Sequence, residues 1–207
     1  MSFKTEQEAF WAGEFGNTYI DRNSVESQVR QRLGLWTEVL RHIPKLDTVI
    51  EFGANIGINM RALLTLVPGV KASAIEINQT AVGELNQLSL EEIHHQSILD
   101  YQGEKLYDLS LASGVLIHIN PDFLPQVYEK LYRASGRYIC LFEYYNPTPV
   151  EVVYRGQHGK LFKRDFAGEM LDRFPDLELT AYGFVYRRDP HFPLDDVNWF
   201  LLQKRKS

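Results

Sequence analysis

Gly53, Asn55 and Gly57 stand at alternate positions directly behind the apolar run Thr48–Phe52. Glycine lets a chain turn sharply, and without a Cβ it lets a ligand approach the main chain. Asparagine tolerates left-handed backbone angles better than most residues. The segment behind the turn has helical spacing, so its first N–H groups are free to meet a polar ligand. Such a turn can hold the polar end of a nucleotide-like molecule. Glu76 stands 23 residues beyond Gly53 and closes the second apolar run, 72–77. A carboxylate there can accept hydrogen bonds from both ribose hydroxyls. Glu51, before the turn, and Ile77, beside Glu76, join the same candidate set.

Reaction with a second molecule needs further groups. His118, Glu143 and Tyr144 each follow an apolar run, and each is of a type that moves or orients a proton. They are the catalytic candidates, with His118 having an equal claim as a structural histidine. Tyr145, Asn146, Tyr154, Arg155, Lys163 and Arg164 form a polar, aromatic and cationic set. It suits an acceptor with a carboxylate or phosphate, for which arginine is the better bidentate partner. Lys163 and Arg164 serve equally as ion-pair partners of Asp165 and Glu169, which leaves Arg155 the principal anchor.

The elements that must position these groups alternate. Strands are expected at 48–52, 72–77, 93–98, 107–112 and 137–143, and helices at 57–66, 79–90, 122–134 and 165–174. Helices at 3–12 and 24–43 lead the chain, while the segment from Trp11 to Tyr19 is too rich in glycine and aromatics for a plain helix. Alternation implies a parallel sheet with right-handed crossovers. Ligands of such sheets bind at the carboxyl ends of the strands. The end of the chain differs. Strands at 178–187 and 196–203 are joined by a connection too short for a helix, so they pair antiparallel. The chain reads as one domain over 1–207, with a helical cap at 1–45 and an acceptor-binding insert at 144–165.

The spacing Glu51-x-Gly53-x-x-x-Gly57 resembles motif I of the class I S-adenosylmethionine (SAM) methyltransferases, with Asn55 where many of them have glycine. It lacks the Gly-x-Gly-x-x-Gly of dinucleotide-binding domains. Residues 96–100 resemble the third motif of those enzymes with Ser97 in place of the usual acid, and 107–121 resemble the fourth. The resemblance implies an α/β, Rossmann-like fold: a seven-stranded, mostly parallel sheet with a C-terminal antiparallel hairpin and helices on both faces. It implies SAM as cofactor, with Ser97 and Ile98 at the adenine and Ser113 and Gly114 along the methionine part. Tyr19 and Arg22 are then candidates for a lid over the cofactor carboxylate.

A narrower resemblance is carried by 10–23, 114–121, 142–147, 154–156 and 161–169. These segments are similar to the pseudaminic-acid-biosynthesis-associated methylases. This implies O- or N-methylation of a small anionic metabolite, a sugar acid or an intermediate of bacterial surface-glycan synthesis. Two readings compete with it: methylation of a phosphoramidate or phosphate ester, and a non-catalytic SAM-binding partner of a glycan-pathway enzyme.

Bulk properties narrow the classes. A net charge of −5 argues against a nucleic-acid partner. No apolar run reaches the length of a membrane span, and residues 1–8 show no signal-peptide pattern, so the cytoplasm is the expected compartment. Cys140, the single cysteine, excludes an internal disulfide and a cysteine metal site. His94, His95 and His118 do not supply a ligand set, so metal-independent chemistry is expected.

Overall fold

The computed structural model describes residues 3–20 and 25–205. Helices α1 (Glu6–Ala12), α2 (Glu14–Ile20) and α3 (Val25–Leu40) precede β1 (Thr48–Phe52), α4 (Ile58–Leu66), β2 (Lys71–Glu76), α5 (Gln79–Leu85), β3 (Glu92–His95) and β4 (Tyr107–Ser113). A 3-10 turn at Leu116–His118 leads to α6 (Leu124–Ala134) and β5 (Ser135–Glu143). Then come β6 (Val150–Glu151), β7 (Phe162–Lys163), α7 (Phe166–Arg173), β8 (Leu177–Val185) and β9 (Val197–Lys204).

Seven strands form one sheet in the order β3-β2-β1-β4-β5-β9-β8. The first five run parallel, and β9 pairs antiparallel with both β5 and β8. Alternate residues of the central strands enter two cores. Ile50 and Phe52 pack with Ile139, Leu141, Val127 and Leu131 on one face. Val49 packs with Cys140, Phe142, Trp36, Val39 and Met60 on the other. Burial on both faces explains why these strands read as nearly continuous apolar runs. The order reverses between β1 and β4, and a crevice opens beyond the carboxyl ends of the strands at that point.

Three local expectations are corrected, and one feature is added. Residues 14–20 form a helix despite their aromatic content. Gly16 makes this possible, because a Cβ there would lie 1.9 Å from the Trp11 carbonyl oxygen and 2.8 Å from Asn78 Nδ2. Strand β3 stops at His95 instead of reaching 98. Ser97 Oγ accepts the N–H of Leu99 at 3.0 Å, and the Asp100 N–H bonds the Ser97 carbonyl at 3.0 Å, which turns the chain. Helix α5 ends at Leu85, with Leu88 N–H bonded to the Leu85 carbonyl at 2.9 Å. The insert at 144–165 holds an antiparallel ribbon of β6 and β7. No helix among the described residues is long and apolar enough to cross a membrane.

Candidate active site

The strand ends and the N-terminal helices enclose a cavity of about 590 Å³. Its floor begins at the turn after β1. Gly53, Asn55 and Gly57 take φ values of 74°, 49° and 75°. A Cβ on Gly53 would meet Val115 Cγ2 at 2.6 Å, so both the conformation and the space demand glycine. Glu76, at the end of β2, ties this turn down. It accepts the N–H of Asn55 at 2.7 Å on one oxygen and those of Ile77 and Asn78 at 2.9 and 2.8 Å on the other. Burial pushes its carboxyl above the usual range, and the three N–H groups oppose that shift.

A second acid lies beneath the turn. Trp36 Nε1 donates to Asn59 Oδ1 at 3.2 Å, and Asn59 Nδ2 donates to Glu51 Oε1 at 2.6 Å. Glu51 Oε2 has no hydrogen-bond partner among the described residues, and burial raises the carboxyl to about 8. Arg32 of α3 lines the same wall, and its Nη1 is likewise buried and unpartnered. Burial lowers the Arg32 guanidinium, while Glu51, Tyr19, Tyr144 and Asp195 oppose this.

Glu143 ends β5. Its Oε1 accepts the N–H groups of Val115 and Leu116 at 3.0 and 2.9 Å, whereas Oε2 is buried without a partner among the described residues. Burial raises this carboxyl to about 7 against the pull of those amides. His118 Nδ1 lies 2.6 Å from the Lys160 carbonyl oxygen. A carbonyl only accepts, so Nδ1 carries the proton and Nε2 keeps its lone pair. Burial lowers this imidazole to about 4. Its ring packs against Trp11 at 4.5 Å and Tyr154 at 5.2 Å between centroids. Burial raises the Tyr144 hydroxyl, and Lys163 Nζ stands 5.0 Å from the Tyr144 ring centre.

The cavity brings together Tyr19, Glu51, Gly53, Asn55, Glu76, Ile77, Ser97, Ile98, Ser113, Gly114, His118, Glu143 and Tyr144. Other sequence candidates lie elsewhere. Gly57 caps α4 behind the turn. Arg155, with φ 51°, sits on an exposed turn closed by Tyr154 and Gln157. Arg164 Nε is bound to Glu169 at 2.7 Å, and Asn146 Nδ2 donates to the Thr148 carbonyl at 2.6 Å. Tyr145 is exposed beside Phe200, and Lys163 and Tyr154 stand behind Tyr144 and His118. Arg22 lies outside the described residues. The wall also includes Gln7, Glu8, Gln28, Arg32 and Asp195, which sequence reading did not single out. Only Arg32 left a trace there, as a cation one turn before the buried Trp36. Among the described residues no group of three or more His, Cys, Asp or Glu side chains is placed to hold a metal ion.

The sheet order, the crevice at its switch point and the terminal hairpin define the class I methyltransferase fold. Solved structures with this fold include the 1,6-didemethyltoxoflavin-N1-methyltransferase of Burkholderia thailandensis, with 1,6-didemethyltoxoflavin and S-adenosylhomocysteine bound. It is similar to this chain over 100% of it and 92% of that chain, at 16% identity and a TM-score of 0.71. The plantazolicin methyltransferase BpumL, in complex with S-adenosylhomocysteine, covers 97% and 94%, at 12% identity and a TM-score of 0.67. The magnesium protoporphyrin IX methyltransferase of Synechocystis PCC 6803, with SAM bound, covers 99% and 100%, at 13% identity and a TM-score of 0.65. No family model matches the chain, and no curated protein does. The narrower resemblance to pseudaminic-acid-associated methylases therefore stands on its motifs alone.

Proposed function

We propose that the chain is a SAM-dependent methyltransferase acting on a small-molecule acceptor. The observation that carries this reading is the pair of complementary, unpartnered groups on one wall, Arg32 Nη1 and Glu51 Oε2, beside the Gly53 turn. A cation and an acid left without partners together suit an amino-acid end, carboxylate on Arg32 and ammonium on the Glu51 side. Glu76 then meets a ribose one strand away. A nucleoside joined to an amino acid satisfies all three, whereas a dinucleotide leaves the Arg32–Glu51 pair unused. The neighbours with SAM or S-adenosylhomocysteine bound support the same reading.

When bound, SAM supplies a methyl group on an electrophilic sulfonium. The residues of this chain hold and orient. Arg32 and the Gly53 turn would fix one end, Glu76 would fix the ribose, and α1, whose Gln7, Glu8 and Trp11 line the cavity, would exclude water. Glu143 stands where β5 ends beside the Ser113–Gly114 turn, and its buried, unpartnered carboxylate oxygen would take the proton of an acceptor N–H or O–H. Gln28 and Gln31 of α3, Tyr144 and Asp195 line the remaining space and orient the acceptor. The step to a surface-glycan acceptor rests on the narrower sequence resemblance, and labelled methyl transfer to glycan precursors tests it.

Titration calorimetry tests the cofactor assignment. S-adenosylhomocysteine should bind once per chain and NAD should not. Glu76→Gln should weaken binding by about 1.5–3 kcal/mol, the value of a hydrogen bond to a charged group. NAD binding in place of S-adenosylhomocysteine would make the assignment wrong.

A further inference from the structure

The cavity has a third region, beyond Glu76 and at the end of β3. Ser97 there donates its hydroxyl proton to Glu8 Oε1. Glu8 belongs to α1, 89 positions away in sequence. Its other oxygen accepts the N–H of Thr5 at 3.0 Å and that of Lys4 at 2.5 Å, while Thr5 Oγ1 accepts the Glu8 N–H at 3.1 Å. This capping box fixes the carboxylate from behind. Beside it, Gln7 Nε2 donates to the Gly159 carbonyl at 2.7 Å. That leaves Gln7 Oε1 buried and without a partner among the described residues, on a side chain only 8% exposed. Gln7, Glu8 and Ser97 all line the cavity.

A nucleoside whose ribose lies on Glu76 and whose other end lies at the Gly53 turn must carry its base toward β3, because β2 stands between β1 and β3. Adenine presents there an exocyclic amine, which needs acceptors. Ser97 has already committed its proton to Glu8. The acceptors present are the carboxylate of Glu8, which has a lone pair beyond the Ser97 bond, and the buried, unpartnered oxygen of Gln7.

We propose that α1 reads the nucleobase: Glu8, seated on Ser97, and Gln7 accept the exocyclic amine of adenine, so a helix from the start of the chain selects an adenosyl cofactor. The inference rests on the SAM reading above. Where the third motif of related enzymes has its own acid, this chain has Ser97, and Glu8 brings a carboxylate to the same place from α1. The base pocket is therefore complete only while α1 is docked. Three further contacts dock it: Gln7 to Gly159, Lys160 Nζ to Glu6 at 3.1 Å, and Asn78 Nδ2 to the Trp11 carbonyl at 3.0 Å.

Calorimetry with S-adenosylhomocysteine and S-inosylhomocysteine, which carries a carbonyl oxygen in place of the amine, tests this. The wild type should prefer the adenosyl ligand by about 100-fold or more, because a carbonyl facing Glu8 and Gln7 leaves acceptors opposed. Glu8→Gln should weaken the adenosyl ligand about 10- to 100-fold, the loss of a charge-assisted bond. The new amide donates to the inosyl carbonyl, so the preference should shrink to less than about tenfold. Ser97→Ala leaves α1 itself intact and should reduce the preference in the same direction. Should Glu8→Gln lose its fold by circular dichroism, the ratio in Ser97→Ala decides. An unchanged preference in a folded variant overturns the inference and leaves the cofactor reading standing. A wild type with no affinity for S-adenosylhomocysteine overturns both.

Discussion

Replacing Glu143 by glutamine should separate its chemical role from its structural one. Glu143 Oε1 accepts two amides, from Val115 and Leu116. A glutamine keeps that acceptor and places an amide NH₂ where the unpartnered Oε2 now stands. The turn after β4 is retained, and what disappears is the capacity to take a proton. Loss of a general base costs about 10²–10⁴-fold in rate, so kcat/KM should fall by that factor while S-adenosylhomocysteine affinity stays within about twofold. The carboxyl is raised to about 7 by burial. Its ionised form is the active one, so wild-type kcat/KM should climb through about pH 6–8 and level off above. In Glu143→Gln that limb should vanish. His118 predicts otherwise, since burial lowers its imidazole to about 4 and its limb would be complete well below neutrality. The assay is transfer of labelled methyl to an acceptor found by screening, with initial rates taken across pH. A limb near neutrality that survives in Glu143→Gln refutes this reasoning.

The cation that matters should be Arg32 and not Arg155. Arg32→Ala should weaken S-adenosylhomocysteine about 10- to 100-fold by calorimetry, whereas Arg155→Ala, on an exposed turn, should leave affinity and kcat/KM within about twofold; the reverse order would restore the insert as the anchor. Ligand-free stability should fall as pH rises from about 5 to 8, because folded Glu51 and Glu143 keep protons that the unfolded chain has released. Glu51→Gln, which has no proton to lose, should flatten that slope, read from denaturant midpoints across pH. EDTA should leave turnover unchanged, and activity restored by magnesium or zinc would reveal ligands among His94, His95, His118 and Glu143.

The sheet was legible in the sequence because its central strands are buried on both faces. The run 48–52 reads as a strand, and the glycine turn behind it marks a ligand site, because both depend on neighbouring residues. The terminal hairpin was legible for the same reason, since 188–193 leaves no room for a helix. Other features depend on distant contacts. Nothing near Gly16 in sequence announces that it faces Asn78, so α2 went unread. Nothing near Glu8 announces Ser97, and Arg32 comes to the same cavity wall as Glu51 because α3 packs on α4. Arg155 carries a second, local reading. Its type and its Tyr-Arg-Gly setting suggest a ligand contact, and its left-handed angle followed by Gly156 at φ 79° also suits a tight turn.

The wall formed by Arg32, Glu51 and Glu143 is costly in the ligand-free chain. Each side chain is charged or titratable, each buries one atom with no partner among the described residues, and an unmet polar group of this kind costs about 1–3 kcal/mol. The turn beside it adds Asn55 in a left-handed conformation, which a stability-driven sequence would fill with glycine. Packing on both faces of the sheet must carry these costs, and it can, since each fully buried large apolar side chain contributes about 1.5–3 kcal/mol. A ligand at a hundred times its dissociation constant returns about 2.7 kcal/mol to the folded state, the same order as one of these unmet groups. On the proposed reading, a ligand that presents both charges of an amino acid would complete the site. α1 and α3 bring to its lining the carboxylate of Glu8 and the guanidinium of Arg32, which the strand ends do not carry.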